Sequence, residues 1–178
     1  MSNNKVNFYY DPQRQGYDTT LWKTLSGVPA ISGTDLRFNA ASAINYADIF
    51  KGKIGFNLTV PVGPAGGQAR RFGFAQLNLG AYLGFRVDGA VFQVETIDGS
   101  GNTETSNITW DAAWTGVPVL FEIDWSGFSA TFYINGVKKV FLNGVSVPKN
   151  PLSVYISNGA ADNLDLTYLE VKDVQGYV

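Results

Sequence analysis

Apolar and polar residues alternate with a period of two over most of this chain. In the segment 52–62 every second residue is apolar, namely Ile54, Phe56, Leu58, Val60 and Val62. The same alternation recurs in the segments 117–125 and 152–157. Because successive side chains of a β-strand point to opposite faces of its sheet, each segment predicts a strand with one buried face.

Two dipeptides predict tight hairpins between strands. Asp88-Gly89 and Asn135-Gly136 each separate two alternating segments. Asn, Asp and Gly supply the positive φ angles that a two-residue type I′ turn requires. We therefore expect each pair of flanking segments to form an antiparallel hairpin.

The alternation changes phase at one place. Phe72 and Phe74 share one parity, whereas Leu77 and Leu79 fall on the other. A bulge near Gln76 would shift the parity by one residue, and so would a strand that is covered on both faces. We expect one of these two arrangements.

No segment shows a convincing helical period. Residues 40–47 are the only candidate, and a strand through 43–46 fits them better. About a dozen strands without a helix leave an all-β sandwich or barrel. We expect a single domain over residues 1–178, in which residues 1–16 form either an extended N-terminal arm or the start of the first strand.

Composition excludes several classes of partner. Charged residues make up only 16% of the 178 residues, the net charge is −2 and no basic run occurs, which argues against nucleic-acid binding. No run of about 18 apolar residues occurs, so we expect no membrane insertion. The polar N-terminus lacks the apolar core of a signal peptide, and we expect the protein to be made in the cytoplasm.

The chain contains neither cysteine nor histidine. The absence of cysteine excludes disulfides and thiolate chemistry. The absence of histidine removes the usual base of a serine triad and the commonest zinc ligand. Carboxylates are the groups that remain for acid–base chemistry, and we predict no cofactor.

Several segments resemble the concanavalin A-like lectin/glucanase superfamily of jelly-roll domains, which includes laminin-G-like modules. Segment 121–125 has the pattern F-x-I-x-W, and 130–137 continues it with F-Y-I-N-G-V. Segment 164–171 is similar to the closing strand of such domains, and Trp22 with 27–33 fits their opening. The resemblance implies a two-sheet antiparallel β-sandwich, a jelly roll of the concanavalin A-like type.

Glycoside hydrolases of this superfamily carry E-x-D-x-x-E on one strand. The only E-x-D in this chain is Glu122-Ile123-Asp124, and Gly127 stands where the last glutamate is required. The two carboxylates also lie on the F-x-I-x-W strand, where the superfamily does not place its catalytic residues. We therefore interpret them as polar residues on a solvent face, and we predict that the chain is not an enzyme.

Sugar-binding surfaces combine exposed aromatic rings with hydrogen-bonding side chains. Trp110 and Trp114 flank a predicted loop, although both also fit positions in the core or at a corner. The remaining candidates lie on the polar parity of predicted strands: Tyr82, Arg86, Tyr133 and Asn135.

Two loops, 98–102 and 158–163, carry oxygen ligands of the kind that calcium prefers. Neither has the spacing of a defined calcium loop, and Asp, Asn and Gly are also ordinary turn residues. We predict no metal site.

Three classes of function are compatible with these observations. The favoured hypothesis is a non-catalytic recognition module that binds a glycan or another surface ligand. The alternative is a virion structural protein, for example a capsid decoration or tail-associated protein, that joins a larger assembly and is exposed on the particle. A divergent glycoside hydrolase ranks third.

Overall fold

The computed structural model describes residues 5–45, 49–61, 69–88, 91–159 and 162–176. Within these ranges the chain forms fifteen strands, one short helix α1 (Pro12–Gln15) and 3-10 turns at Leu77–Leu79 and Ala112–Trp114. The strands are β1 (Lys5–Tyr10), β2 (Trp22–Ser26), β3 (Ala30–Ser32), β4 (Asp35–Phe38), β5 (Ser42–Asn45), β6 (Ile49–Thr59), β7 (Arg70–Gln76), β8 (Ala81–Asp88), β9 (Val91–Ile97), β10 (Thr103–Asn107), β11 (Pro118–Trp125), β12 (Ser129–Ile134), β13 (Val137–Asn143), β14 (Ser153–Asn158) and β15 (Leu164–Gly176).

The strands form two antiparallel sheets. The eight-stranded sheet has the order β13-β12-β11-β6-β15-β4-β3, and β1 also pairs with β15. The seven-stranded sheet has the order β10-β9-β8-β7-β14-β5-β2. This architecture confirms the predicted two-sheet sandwich of the concanavalin A-like jelly-roll type. Among the described residues, no helix is long and apolar enough to span a membrane.

Aromatic side chains join the two sheets. Phe121 on β11 lies 5.0 Å from Phe72 and 5.3 Å from Phe85, both of which belong to the seven-stranded sheet. Ile123 and Trp125 follow on the same parity and are also buried, as the F-x-I-x-W pattern predicts. Such ring pairs add about 0.5–1.5 kcal/mol each beyond the burial of their area.

The first strand pairs with the last one. Strand β1 runs antiparallel to β15 with Tyr10 opposite Leu169, while β4 occupies the preceding part of β15. The Tyr10 side chain is buried, and its hydroxyl donates a hydrogen bond to the carbonyl oxygen of Gly16. Residues 5–10 therefore complete the eight-stranded sheet of their own chain.

The closing strand contains an irregularity. Leu164 and Leu166 are buried on one parity, whereas Leu169 and Val171 are buried on the other. The register of β15 against β6 shifts between Leu166 and Tyr168, and a β-bulge of this kind adds one residue. The bulge keeps Leu164 and Leu166 on one side of it, and Leu169 and Val171 on the other, on the same inner face.

The two predicted hairpins have different outcomes. Asn135 and Gly136 have φ angles of 50° and 74°, which confirms the type I′ turn between β12 and β13. Strands β8 and β9 do pair, but Asp88 is opposite Val91. The connection is therefore shifted by one residue from Asp88-Gly89, and Gly89 itself lies outside the described residues.

The phase change near Gln76 has a cause that the alternation did not predict. Strand β7 ends at Gln76, and Leu77–Leu79 forms a 3-10 turn in which both leucines are exposed. The pairing of β7 with β8 contains no bulge, but Gly73 and Ala75 on the outward parity are buried, so both faces of β7 are covered up to its last residue. The alternation stops at Gln76 because Leu77–Leu79 is not part of a strand.

Replacement of Phe121 by alanine tests the aromatic layer. Phe→Ala in a close-packed core costs about 3–5 kcal/mol, since the residual cavity adds to the lost burial. Denaturant unfolding of Phe121→Ala should show a loss in this range. The matched control is Phe128→Ala, because Phe128 is 72% exposed and its loss should change stability by less than about 0.5 kcal/mol. Similar losses in the two variants would contradict the assigned packing.

Candidate functional site

The outer face of the seven-stranded sheet carries a cluster of charged side chains on three adjacent strands. Phe72, Phe85 and Val94 turn their side chains to the core, so the residues of opposite parity on β7, β8 and β9 face outward. The cross-strand register then brings distant residues together. We call the following set the Glu95 site: Arg71, Tyr82, Arg86, Asp88 and Glu95.

Glu95 lies at the centre of this cluster. Its side chain is only 5% exposed, and its two oxygens contact two arginines. The Nη1 atom of Arg86 donates a hydrogen bond of 3.1 Å to Oε1, and Nη2 of Arg71 lies 3.3 Å from Oε2. A buried carboxylate is costly unless it is paired, and the two guanidinium groups supply that pairing.

Arg86 joins two carboxylates. While Nη1 bonds Glu95, Nη2 donates a hydrogen bond of 2.5 Å to Oδ2 of Asp88. The hydrogen bond to Asp88 raises the pKa of Arg86 above its usual value, and the charge of Glu95 adds to the increase. Partial burial acts in the opposite direction. One permanently charged guanidinium therefore holds Glu95 and Asp88 beside each other on the sheet.

Tyr82 forms the floor of the site. Its hydroxyl donates a hydrogen bond of 2.7 Å to the carbonyl oxygen of Phe85. Gly84 makes room for this position, because a Cβ atom there would lie 2.5 Å from the Tyr82 hydroxyl oxygen. Burial raises the pKa of Tyr82 well above its usual value, so the hydroxyl keeps its proton. The guanidinium of Arg71 lies 5.6 Å from the ring centroid, above the floor.

Strand β14 extends the face beside Tyr82. The ring of Tyr155 meets the Tyr82 ring edge-on, with 6.3 Å between their centroids. Ser153 and Ser157 share its parity and are also partly exposed. The strand thus adds an aromatic side chain and two hydroxyl groups, which are groups that bind sugar hydroxyls and ring faces.

The predicted binding residues fall into three places. Tyr82 and Arg86 belong to the Glu95 site. Tyr133 lies on the outer face of the other sheet, with Nζ of Lys53 at 5.3 Å from its ring centroid. Asn135 belongs to the same second place, in the turn just after the Tyr133 strand, where its Oδ1 accepts a hydrogen bond from the Leu120 amide. The structure therefore does not bring these four residues together.

Trp110 and Trp114 occupy the third place. They pack edge-on against each other at 5.6 Å and against Phe92, and both are partly buried beside the core. Nε1 of Trp110 donates a hydrogen bond to Oγ1 of Thr115. The pair covers one end of the core.

The carboxylates of the E-x-D sequence lie away from the Glu95 site. Glu122 and Asp124 point outward from β11, in the other sheet. Nζ of Lys53 lies 3.1 Å from Oε1 of Glu122, and Asp124 is exposed. These positions agree with the interpretation of the pair as solvent-facing residues.

Asp98, in the first of the two loops with calcium-type ligands, bonds to its own turn. Its carboxylate accepts hydrogen bonds from the backbone amides of Ser100 and Asn102. A further bond from the Asn102 side chain is the main cause that lowers the pKa of Asp98. Across the part of the chain that the structure describes, no group of three or more Asp, Glu, His or Cys residues is placed to hold a metal ion.

Sequence reasoning missed Arg71, Asp88 and Glu95 as members of one site. Glu95 and Asp88 lie on different strands, and no pattern within a single strand joins them. The available signal was the predicted β8–β9 hairpin, which brings the two strands together. The predicted turn is displaced by one residue, which shifts every β8–β9 pair by two residues and would place Arg86 opposite Val91 instead of Gln93.

The fold matches several solved enzymes over almost the whole chain. A Crh5 transglycosylase has a TM-score of 0.74 at 12% identity, covering 100% of this chain and 91% of that one. An endo-1,3-β-glucanase (laminarinase) catalytic domain from Thermotoga petrophila has a TM-score of 0.73 at 8% identity, covering 98% and 100%. A prokaryotic β-1,3-1,4-glucanase (lichenase) from a mouse hindgut metagenome has a TM-score of 0.71 at 11% identity, covering 94% and 99%.

No family model matches the sequence, and no curated protein matches it. At identities of 8–12% the likeness to these solved structures establishes the shared fold. The chain therefore has the concanavalin A-like jelly-roll fold that its sequence resembles.

These structures overturn two expectations from the sequence. The sequence favoured a non-catalytic recognition module over a virion protein, and it predicted no enzyme. The three solved structures named above are instead two glucanases and a transglycosylase, and they contradict both expectations. The prediction rested on the incomplete E-x-D-x-x-E pattern at Gly127 and on the absence of histidine and cysteine.

Tyr82 should make the protein sensitive to alkali. Its pKa is higher in the folded state than the unfolded value of about 10, so its stabilisation is complete below that pH and is lost progressively above it. Between pH 8 and pH 11 the wild type should lose roughly 1 kcal/mol more unfolding free energy than Tyr82→Phe. Urea unfolding across this range measures the difference. Parallel pH profiles for the two proteins would show that Tyr82 ionises normally.

Proposed function

We propose that this protein is a carbohydrate-active enzyme that cleaves or transfers a glycosidic bond of a polysaccharide at the Glu95 site. The observation that carries the proposal is the pair of carboxylates, Glu95 and Asp88, held by one guanidinium on the outer face of the sheet. The likeness of the whole fold to glucanases and a transglycosylase supports it.

Glycosidic cleavage ordinarily uses two carboxyl groups. One of them protonates the departing glycosidic oxygen as its bond to the anomeric carbon breaks. The other, ionised, either attacks that carbon or removes a proton from the incoming hydroxyl. Water as the incoming group gives hydrolysis, and a sugar hydroxyl gives transglycosylation.

The two carboxylates of the site suit different roles. Glu95 is almost completely buried, and its contacts with two guanidinium groups fix its position, so we assign it the attack on the anomeric carbon or the activation of the incoming hydroxyl. The Asp88 side chain is 34% exposed and contacts one guanidinium, so a glycosidic oxygen can reach it from the surface. We assign Asp88 the transfer of a proton to that oxygen.

The surroundings of the two carboxylates fit a sugar chain. Tyr155 offers an aromatic ring beside the buried Tyr82, and Ser153, Ser157 and Gln93 offer polar groups on the same face. Aromatic faces and hydrogen-bonding side chains are the groups that hold a polar ligand with apolar ring faces. A polysaccharide is accordingly the partner that we assign to this face.

Replacement of each carboxylate by its amide tests the assignment. Glu95→Gln and Asp88→Asn should each lower the turnover of a cleaved polysaccharide by about 10²- to 10⁴-fold, the usual contribution of a positioned acid or base. Release of reducing ends from a panel of polysaccharides measures hydrolysis, and labelled acceptor oligosaccharides measure transfer.

The matched control is Glu122→Gln. Glu122 is also ion-paired and outward-facing, but it lies on the other sheet, and its amide should keep wild-type turnover. Thermal unfolding of all three variants separates lost chemistry from lost folding. Full turnover by a folded Glu95→Gln protein would reject the proposed site.

A further inference from the structure

The side chains of the Glu95 site lie in two layers. Glu95 is 5% exposed, whereas the side chains of Arg71 and Arg86 are 37% and 28% exposed. A ligand that approaches the face therefore meets the two guanidinium groups, and the Asp88 carboxylate that Arg86 holds, before it reaches the central carboxylate. Guanidinium groups recognise carboxylates and oxyanion esters through pairs of hydrogen bonds.

The two arginines are held differently. Arg86 uses both terminal nitrogens, one for Glu95 and one for Asp88. Arg71 contacts Glu95 only through Nη2 at 3.3 Å, and among the described residues Oε2 of Glu95 takes part in no hydrogen bond. The Arg71–Glu95 contact is thus an ion pair without hydrogen-bond geometry, and it is the weaker of the two attachments.

The orientation of Arg71 is nonetheless defined. Its guanidinium carbon lies 5.6 Å from the centroid of the Tyr82 ring, an aromatic contact that favours a cation. Because Tyr82 is fixed by its own hydrogen bond to Phe85, the guanidinium rests on a rigid surface. Arg71 can exchange its anionic partner while it keeps this support.

We infer that the polysaccharide substrate carries anionic groups, either carboxylates or sulfate esters, and that Arg71 is the residue that recognises them. This inference rests on the proposed function. The substrate anion offers two acceptor oxygens to Arg71 and replaces Glu95 as its ionic partner. Oε2 of Glu95 is then released from its contact with Arg71. A neutral sugar offers no charge to compete with Glu95, so the exchange discriminates between substrates.

Turnover and binding of three polysaccharide types test this inference. The three types are a carboxylated polyuronate, a sulfated galactan and a neutral β-glucan. For the wild type, kcat/KM should be at least about tenfold higher on one of the anionic types than on the neutral one, since a charge-assisted pair contributes on this scale. The two anionic types distinguish a carboxylate from a sulfate ligand. The preference should weaken as salt is raised.

Variants of Arg71 separate recognition from folding. Arg71→Met should abolish the preference for the anionic type, and Arg71→Lys should restore only part of it, because an ammonium cannot form the paired hydrogen bonds. The matched control is Lys138→Met, which removes an exposed cation from the other sheet and should keep the wild-type preference. Thermal unfolding shows that the variants are folded.

The outcomes distinguish the inference from the function on which it rests. If the wild type prefers the neutral glucan and Glu95→Gln abolishes turnover, the function stands and the inference is overturned. An unchanged preference in Arg71→Met also overturns the inference. If an anionic polysaccharide binds in an Arg71-dependent way but no bond is cleaved or transferred, anion recognition stands and the enzymatic proposal fails. If the wild type neither binds nor cleaves the anionic polysaccharides, the inference is overturned.

Discussion

The aromatic layer between the two sheets decides which side chains face outward. Phe121 contacts Phe72 and Phe85 across the layer, and these contacts fix the inward parity of β7, β8 and β11. Since side chains alternate along a strand, the outward parity follows directly. Arg71, next to Phe72, and Arg86, next to Phe85, face outward because their neighbours are packed inside.

The site depends on a second constraint, the close approach of a ring to the backbone. The Tyr82 side chain lies along its own strand β8 and passes over Gly84, where any larger residue would collide with the Tyr82 hydroxyl. The buried ring then supports Arg71 from below, and Arg71 and Arg86 in turn neutralise Glu95. A glycine, a tyrosine and two arginines thus make it possible for a carboxylate to be buried on the outer face of β9, the strand next to the sheet edge.

The eight-stranded sheet shows what a comparable face looks like without such a site. Its ion pairs include Lys53 with Glu122, Lys172 with Glu170 and Arg37 with Asp165. In each of these pairs one cation contacts one carboxylate, and Arg37 uses both of its bonding nitrogens on Asp165, whereas Arg86 divides its nitrogens between Glu95 and Asp88. The contrast explains why Glu95, and not the E-x-D sequence at Glu122, is the stronger candidate for chemistry.

The sequence alone determined the sandwich, its buried strand faces and the Asn135-Gly136 hairpin, because these depend on alternation and on local φ preferences. It also placed Tyr82 and Arg86 on an outward parity. Only the tertiary structure decided that Glu95 meets Arg86 and Arg71, since that meeting depends on the register between three strands and on which strands are neighbours. A one-residue shift at the β8–β9 connection changes every cross-strand pair, and no single-strand pattern records it.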